Sequence, residues 1–400
     1  MRAVIVGSGA GGATVAKELA TRGLEVVLVE RGPIIDEREA AQHYANLSTA
    51  VELMRTVCLG GTTLVSAGNG VRVLEDELAA LGIDLRAEFA ETEAELGIRP
   101  LPESHLGDGT RRIMAAADQL GLAVMRMPKF IDPARCVPCG KCTSGCPTGA
   151  KWTALEYLRA AEQHGAKILT GTPVESVLIK DGTAVGVRCK ERMIAGDVVV
   201  LAAGALETPR LLQRAGLPTS HSLFVDTFVT VGGILPGIKQ NREISMNALM
   251  PFKQFMLAPH YSSHLVRRMR ERGRAVEPED MLGIMVKIRD EPQGEVTGGV
   301  QKKEITNHDA ALIAEGAAIA GALLEHAGVE PTTVVTTPLR GAHPGGTARI
   351  GEAVDRSLAT AVSGLYLADA SVLPAAPGAP PILTIVALAK YLAKLLCARA

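Results

Sequence analysis

Residues 3–12 read Ala3-Val4-Ile5-Val6-Gly7-Ser8-Gly9-Ala10-Gly11-Gly12, and this stretch decides the fold. The apolar run predicts a buried strand, and the glycines behind it are spaced G-x-G-x-x-G. Residues 13–22 read as a helix closed by Gly23. Residues 25–29 read as a second strand, followed by Glu30. Strand, turn, helix, strand and acid in that order form a dinucleotide-binding fingerprint. Gly7 permits the tight turn, Gly9 lets backbone approach a pyrophosphate, and Gly12 lets helix and strand pack closely. The helix N-terminus favours phosphate charge, and Glu30 can accept hydrogen bonds from ribose hydroxyls. The fingerprint alone does not separate FAD from NAD.

Outward from this motif, the 400 residues imply two or three domains at roughly 150 residues each. Lys plus Arg (42) and Asp plus Glu (43) nearly cancel, which argues against nucleic acid or an anionic membrane surface as main partner. An apolar content of 47% excludes a disordered chain, and 3% aromatic residues argue against stacking platforms for sugars or bases. A strand begins at once, with no basic segment and apolar signal core before it. The longest apolar run, residues 382–398, contains Lys390 and Lys394 and reads as an amphipathic helix packed on a domain rather than a membrane span. The expected location is the cytoplasm.

Three more segments carry a resemblance. Gly60-Gly61-Thr62-Thr63-Leu64-Val65-Ser66-Ala67-Gly68-Asn69-Gly70 is a second glycine-rich stretch. Gly204-Ala205-Leu206-Glu207-Thr208-Pro209-Arg210 follows an apolar strand over 197–202. His343-Pro344-Gly345-Gly346-Thr347 leads to Leu367-Ala368-Asp369-Ala370. In this order, and with the first motif, they resemble the glucose–methanol–choline (GMC) oxidoreductases, a family of FAD enzymes. The resemblance is weak over about 219–330, where such enzymes build the substrate domain.

The resemblance implies roles residue by residue. Gly60, Gly61 and Asn69 would lie along the flavin and its diphosphate. Val174 would contact adenine through its backbone. Asp369 and Ala370 would hold the diphosphate–ribityl region, with Arg31, Ala203, Gly204 and Pro381 completing the wall. Val65 stands where some relatives carry the histidine that attaches FAD, so the FAD is expected to be non-covalent. His343 fits the family's His-x-x-Gly-Thr pattern and is the expected base, because a neutral imidazole titrates near working pH. The family's second His or Asn is replaced by Pro380, which offers no side-chain hydrogen bond. His260 and His264 are spaced i, i+4 and could share a helix face, but Tyr261 breaks a zinc-protease pattern.

Four of the seven cysteines, Cys136, Cys139, Cys142 and Cys146, form C-x2-C-x2-C-x3-C-P, the bacterial ferredoxin spacing. An odd total so clustered is not a secreted disulfide framework. A [4Fe–4S] cluster is the leading reading; zinc and a redox-active thiol patch compete with it. Either Cys146 or the remote Cys58 would be the fourth ligand. Cys189 and Cys397 read as bystanders, and Trp152 as a core residue.

The expected class is α/β: a Rossmann-like FAD domain, an antiparallel-sheet substrate domain and a small iron–sulfur insertion. The expected division is 1–127 (FAD, first part), 128–150 (cluster insertion), 151–218 (FAD, second part), 219–330 (substrate) and 331–400 (FAD, C-terminal part). Helices are expected over 110–120, 152–164 and 308–326, the last capped by Asn307. The basic stretch 267–274 reads as a solvated helix face. The expected activity is oxidation of a small hydroxylated substrate, with electrons leaving through the cluster to a ferredoxin or a redox-complex subunit. A non-catalytic electron-transfer subunit and a reductase working in reverse are the alternatives.

Overall fold

The structure is a computed structural model and describes residues 1–190 and 192–399. Five parallel strands form its first sheet, in the order Leu365–Leu367, Val198–Leu201, Arg2–Val6, Glu25–Val29, Lys167–Leu169. Their near-continuous Val, Ile and Leu content is what a sheet covered on both faces requires. Helix Ala10–Ala20 packs against helices Ala154–Gln163 and Ile382–Cys397, and a three-stranded antiparallel sheet over residues 174–195 packs against Val198–Leu201.

The first helix begins at Ala10, three residues earlier than its apolar pattern predicts. The reason is that Gly11 and Gly12 are helical and serve as packing surfaces. A Cβ on Gly11 would lie 1.6 Å from the Ala368 carbonyl oxygen, and one on Gly12 would lie 2.0 Å from the Gly7 oxygen. The C-terminal helix is docked as expected, but Lys390 is buried within it, paired with Glu18, Glu91 and Glu95.

The second large sheet is antiparallel at its centre: Thr227–Ile234, Met281–Ile288, Phe255–Pro259, Ala248–Pro251. Helix Asn307–His326 crosses it, and Gly316 allows close approach to Val286. The cap of that helix is Thr306 rather than Asn307, through a reciprocal capping box with Asp309. The other two helices run Asp108–Gln119 and Ala154–Gln163, and Thr153 stands at the N-terminus of the second.

This sheet draws strands from outside residues 219–330. Arg340–Gly341 pairs with Thr227 and Phe228 on one side and with Glu52–Leu53 on the other. That stitching brings His343 to the junction of the two sheets. Among the described residues, no helix is long and apolar enough to cross a membrane.

Candidate active site

A cavity of about 940 Å3 runs along this junction, within the range of cofactor sites. At one end lies the first glycine turn. Gly7 has φ +102° and donates to Val29 O, and a Cβ there would strike the Ala202 backbone. Gly9 borders the cavity, and a Cβ on it would meet nothing within 4 Å. The helix that starts at Ala10 has no side-chain cap, so its first N–H groups offer a site for an anion.

The remaining expected positions divide between the wall and its support. Glu30, Arg31, Gly61, Asn69, Val174, Ala203, Gly204, Asp369, Ala370 and Pro381 border the cavity. Gly12 and Gly60 do not: Gly12 takes the close-packing role that its place in the motif implies, and Gly60, expected along the flavin, lies behind the wall. Gly12 is buried in the helix–strand crossing, and Gly60 donates its N–H to Ser8 Oγ at 2.9 Å while lying against Leu64. Glu30 accepts from Ser8 Oγ (2.6 Å), Ser8 N (3.0 Å) and Gly32 N (2.7 Å), so it fixes the turn it closes. Asp369 accepts from Gly204 N, Thr208 Oγ1 and Ser371 N, joining two wall segments. Arg31 pairs with Glu207, which also holds Arg55 and Arg210.

At the other end stands His343. Its Nδ1 lies 2.8 Å from Asp226 Oδ2. Asp226 is fully buried, has φ +50° and accepts from Gly378 N through its other oxygen. With Asp226 ionised, Nδ1 carries the hydrogen and Nε2 keeps a lone pair. Burial, then the neighbouring Lys287, hold the His343 pKa well below the usual imidazole value, so the ring is a neutral base. Burial raises Asp226 to about 7, partly offset by Lys287. Lys287 and His260 also border this end, with Phe228, Met285 and Pro380. Burial lowers His260 to about 3. His260 and His264 do not share a helix face: the helix is Ser263–Glu271, and His260 precedes it in extended chain.

The four clustered cysteines border a separate small recess with Ile131, Lys151 and Ile244. Cys58 does not reach it. Cys58 is buried beneath Gly32 and faces the large cavity instead. No three of the described cysteine sulfurs lie within 4.8 Å of one another. Two fully buried lysines back the recess. Lys151 Nζ donates to the carbonyls of Leu64 (2.8 Å), Ser66 (2.8 Å) and Cys142 (2.7 Å). Lys129 Nζ donates to Ala67 O, Asn69 Oδ1 and Ser245 O. Burial lowers Lys129 to about 7 and Lys151 to about 8, and the Cys142 thiol opposes the shift in both.

Profiles described as GMC oxidoreductase match residues 1–246 and 286–389. The chain belongs to the GMC oxidoreductase family. An uncharacterised protein of Methanocaldococcus jannaschii is 36% identical over 96% of this chain and 97% of its own length. A long-chain-alcohol oxidase of Arabidopsis thaliana is 26% identical over 96% of this chain and 65% of its own. Among solved structures, a pyridoxine 4-oxidase superposes with TM-score 0.77 at 16% identity, over 99% of both chains. A formate oxidase of Aspergillus oryzae gives 0.72 at 16% identity, over 99% of this chain and 98% of the other.

As a GMC oxidoreductase, the chain is an FAD-dependent oxidoreductase, and its large cavity suits that cofactor. Glycine backbone lines the fingerprint end, and four atoms of wall residues, Thr56 Oγ1, Ser66 Oγ, Arg210 Nε and Asn241 Oδ1, are buried without a partner among the described residues. Such orphaned atoms are usual where a polar ligand belongs. Sequence reasoning missed Asp226, Lys287, Lys129 and Lys151. None sits in a motif, and only the sheet pairing brings Asp226, 117 positions away, to His343.

Proposed function

We propose that this oxidoreductase removes a hydride and a proton from a CH–OH group, with His343 as the base. The observation that carries the reading is the buried Asp226–His343 pair at the far end of a cavity that begins at the dinucleotide turn. Bound FAD would accept the hydride. Asp226 fixes the ring and its tautomer, so that Nε2 receives the hydroxyl proton. Gly9 and the uncapped helix start would hold the diphosphate; Gly61, Asn69, Asp369, Ala370 and Pro381 would line the rest, with Val174 toward the adenine. The Asp–His pair favours an enzyme over a purely electron-relaying subunit.

Electrons would leave through a [4Fe–4S] cluster on Cys136, Cys139, Cys142 and Cys146 to a protein carrier such as a ferredoxin or a redox-complex subunit. Support comes from Lys129 and Lys151, whose hydrogen bonds all go to uncharged oxygens. Burying such ammonium groups costs several kcal/mol each unless an anion offsets them, and cluster thiolates are the anions at hand. The recess encloses only about 10 Å3 as it stands, so seating a cluster requires the partly exposed Cys136, Cys139 and Cys146 side chains to turn outward. None of the seven cysteines is in a disulfide, which is what a chain working in a reducing compartment requires.

The test is to purify the protein without oxygen, measure FAD, iron and sulfide, and follow flavin bleaching with a panel of primary and secondary alcohols. Bleaching should slow by about 10²- to 10⁴-fold in His343→Ala. Unchanged bleaching would remove His343 as base. FAD without iron would remove the electron-exit part and leave the oxidoreductase intact.

A further inference from the structure

Pro380 borders the reacting end of the cavity and offers no side-chain hydrogen bond to a substrate there. A hydroxyl oxygen that loses its proton to Nε2 needs a donor while the negative charge develops. Several polar side chains border this end. Arg340 is held by Glu52 at 2.6 Å, and Arg55 by Glu207 at 2.7 Å. His260 is engaged at Nδ1 by Thr230 Oγ1, 3.0 Å away, and burial holds it neutral, so its Nε2 can offer only an uncharged hydrogen bond.

Lys287 differs from all of these. It is 1% exposed, borders the cavity, and lies on the central strand Met281–Ile288, a rigid element. Its ammonium has three N–H donors, but its one hydrogen bond among the described residues is a long contact of 3.3 Å to the Asp226 carbonyl. Its other neighbour is the face of Phe228, 4.6 Å from the ring centre. The two nearby carboxylates are engaged elsewhere, Asp226 with His343 and Asp290 with Lys303 at 2.7 Å. A buried ammonium with free donors beside the base is placed to receive an oxyanion.

We propose that Lys287 is the second catalytic residue of this site, donating a charge-assisted hydrogen bond to the substrate oxygen that His343 deprotonates. The O–H bond breaks, its proton goes to His343 Nε2, and the electron pair left on oxygen is held by the Lys287 ammonium until the C=O bond forms. Lys287 thereby replaces by charge what Pro380 cannot supply. This rests on the reading of His343 as base.

Acetate serves as the probe, because its carboxylate presents an oxyanion to the same donor. The FAD-loaded protein is titrated with sodium acetate at constant ionic strength, and binding is followed by the change in flavin absorption. Wild type should bind with a saturable spectral change. Lys287→Met, of similar length and uncharged, should raise the acetate Kd at least tenfold with FAD content and melting temperature unchanged. Lys287→Arg should stay within a few-fold of wild type. Equal affinity in wild type and Lys287→Met overturns the proposal, as does a wild-type flavin spectrum that acetate does not perturb. Should Lys287→Met fail to retain FAD, Lys287→Gln and Lys287→Arg decide: equal affinity in the two overturns it. His343→Ala in the same titration separates the two readings, since loss of the base leaves Lys287 and acetate binding in place.

Discussion

The two recesses of this protein are built on opposite plans. At its dinucleotide end the large cavity is walled by backbone: glycine turns, a helix start and the ends of parallel strands. Arg31 and Arg55 on its wall are neutralised within the protein by Glu207. The small recess is walled by side chains, four thiols in front and a buried lysine behind, with no carboxylate among its lining residues. A backbone wall recognises a ligand by shape and by N–H direction. A side-chain wall recognises it by charge and by bonds to sulfur. The consequence is that the two respond to different mutations.

The largest contrast lies within the first plan, between two glycines two positions apart. Gly11→Ala places a methyl group 1.6 Å from the Ala368 oxygen, in backbone that cannot step aside. The cost exceeds the ~1–3 kcal/mol of ordinary overpacking. The variant should melt at least about 5 °C lower and be purified without FAD. Gly9→Ala meets no protein atom, so its melting temperature as apoprotein should match wild type while FAD is still lost. Differential scanning fluorimetry with flavin quantification separates the two. Equal melting temperatures for both variants would mean that helix and sheet are not locked at Gly11.

These plans were unequally legible in the sequence. Gly7, Gly9 and Gly12 fall in one continuous motif, and the five parallel strands are short runs of Val, Ile and Leu, so the first sheet could be read locally. The motif assigned close packing to Gly12, yet Gly11 makes the nearer approach, because the neighbouring strand end at Ala368 is contributed by residues more than 350 positions later. The cysteine spacing was equally local. The lysines behind it were not, since Lys usually reads as surface, and only bonds to chain 60 to 116 positions away keep Lys129 inside. Asp226 and Lys287 lie outside the motifs that could be read locally, although both fall within the matched segments, and they meet His343 through sheet register that no pattern of single residues encodes.

Lys151 tests whether the two recesses are independent. It borders the small one, yet two of its three hydrogen bonds end on Leu64 and Ser66, in the glycine-rich segment that walls the large one. Lys151→Met keeps the length of the side chain and removes all three bonds. If the lysine is a tie, FAD per protein should fall to about half of wild type after extensive dialysis, and iron per protein should fall with it. A fall in iron alone would make Lys151 a charge partner of the cysteines and nothing more. FAD content equal to wild type in that variant would leave the two recesses energetically separate.

The smallest effect expected is a pH dependence confined to the large cavity. Burial raises the folded Asp226 pKa from 3.8 to about 7, while burial and Lys287 hold His343 neutral far below that. The group that limits the base is therefore the carboxylate behind the ring. Above about 7, ionised Asp226 accepts the Nδ1 hydrogen and leaves Nε2 free to take a proton. Below about 7, protonated Asp226 donates to Nδ1 instead, which moves the ring hydrogen to Nε2 and removes the base. Flavin bleaching should therefore fall by about tenfold per pH unit on the acid side of neutrality. Asp226→Asn should flatten that limb, because an amide can neither ionise nor be protonated in this range. FAD and iron contents, which depend on backbone and sulfur, should stay constant across the same window. An acid limb that survives in Asp226→Asn would assign the titration to another group and uncouple Asp226 from the base.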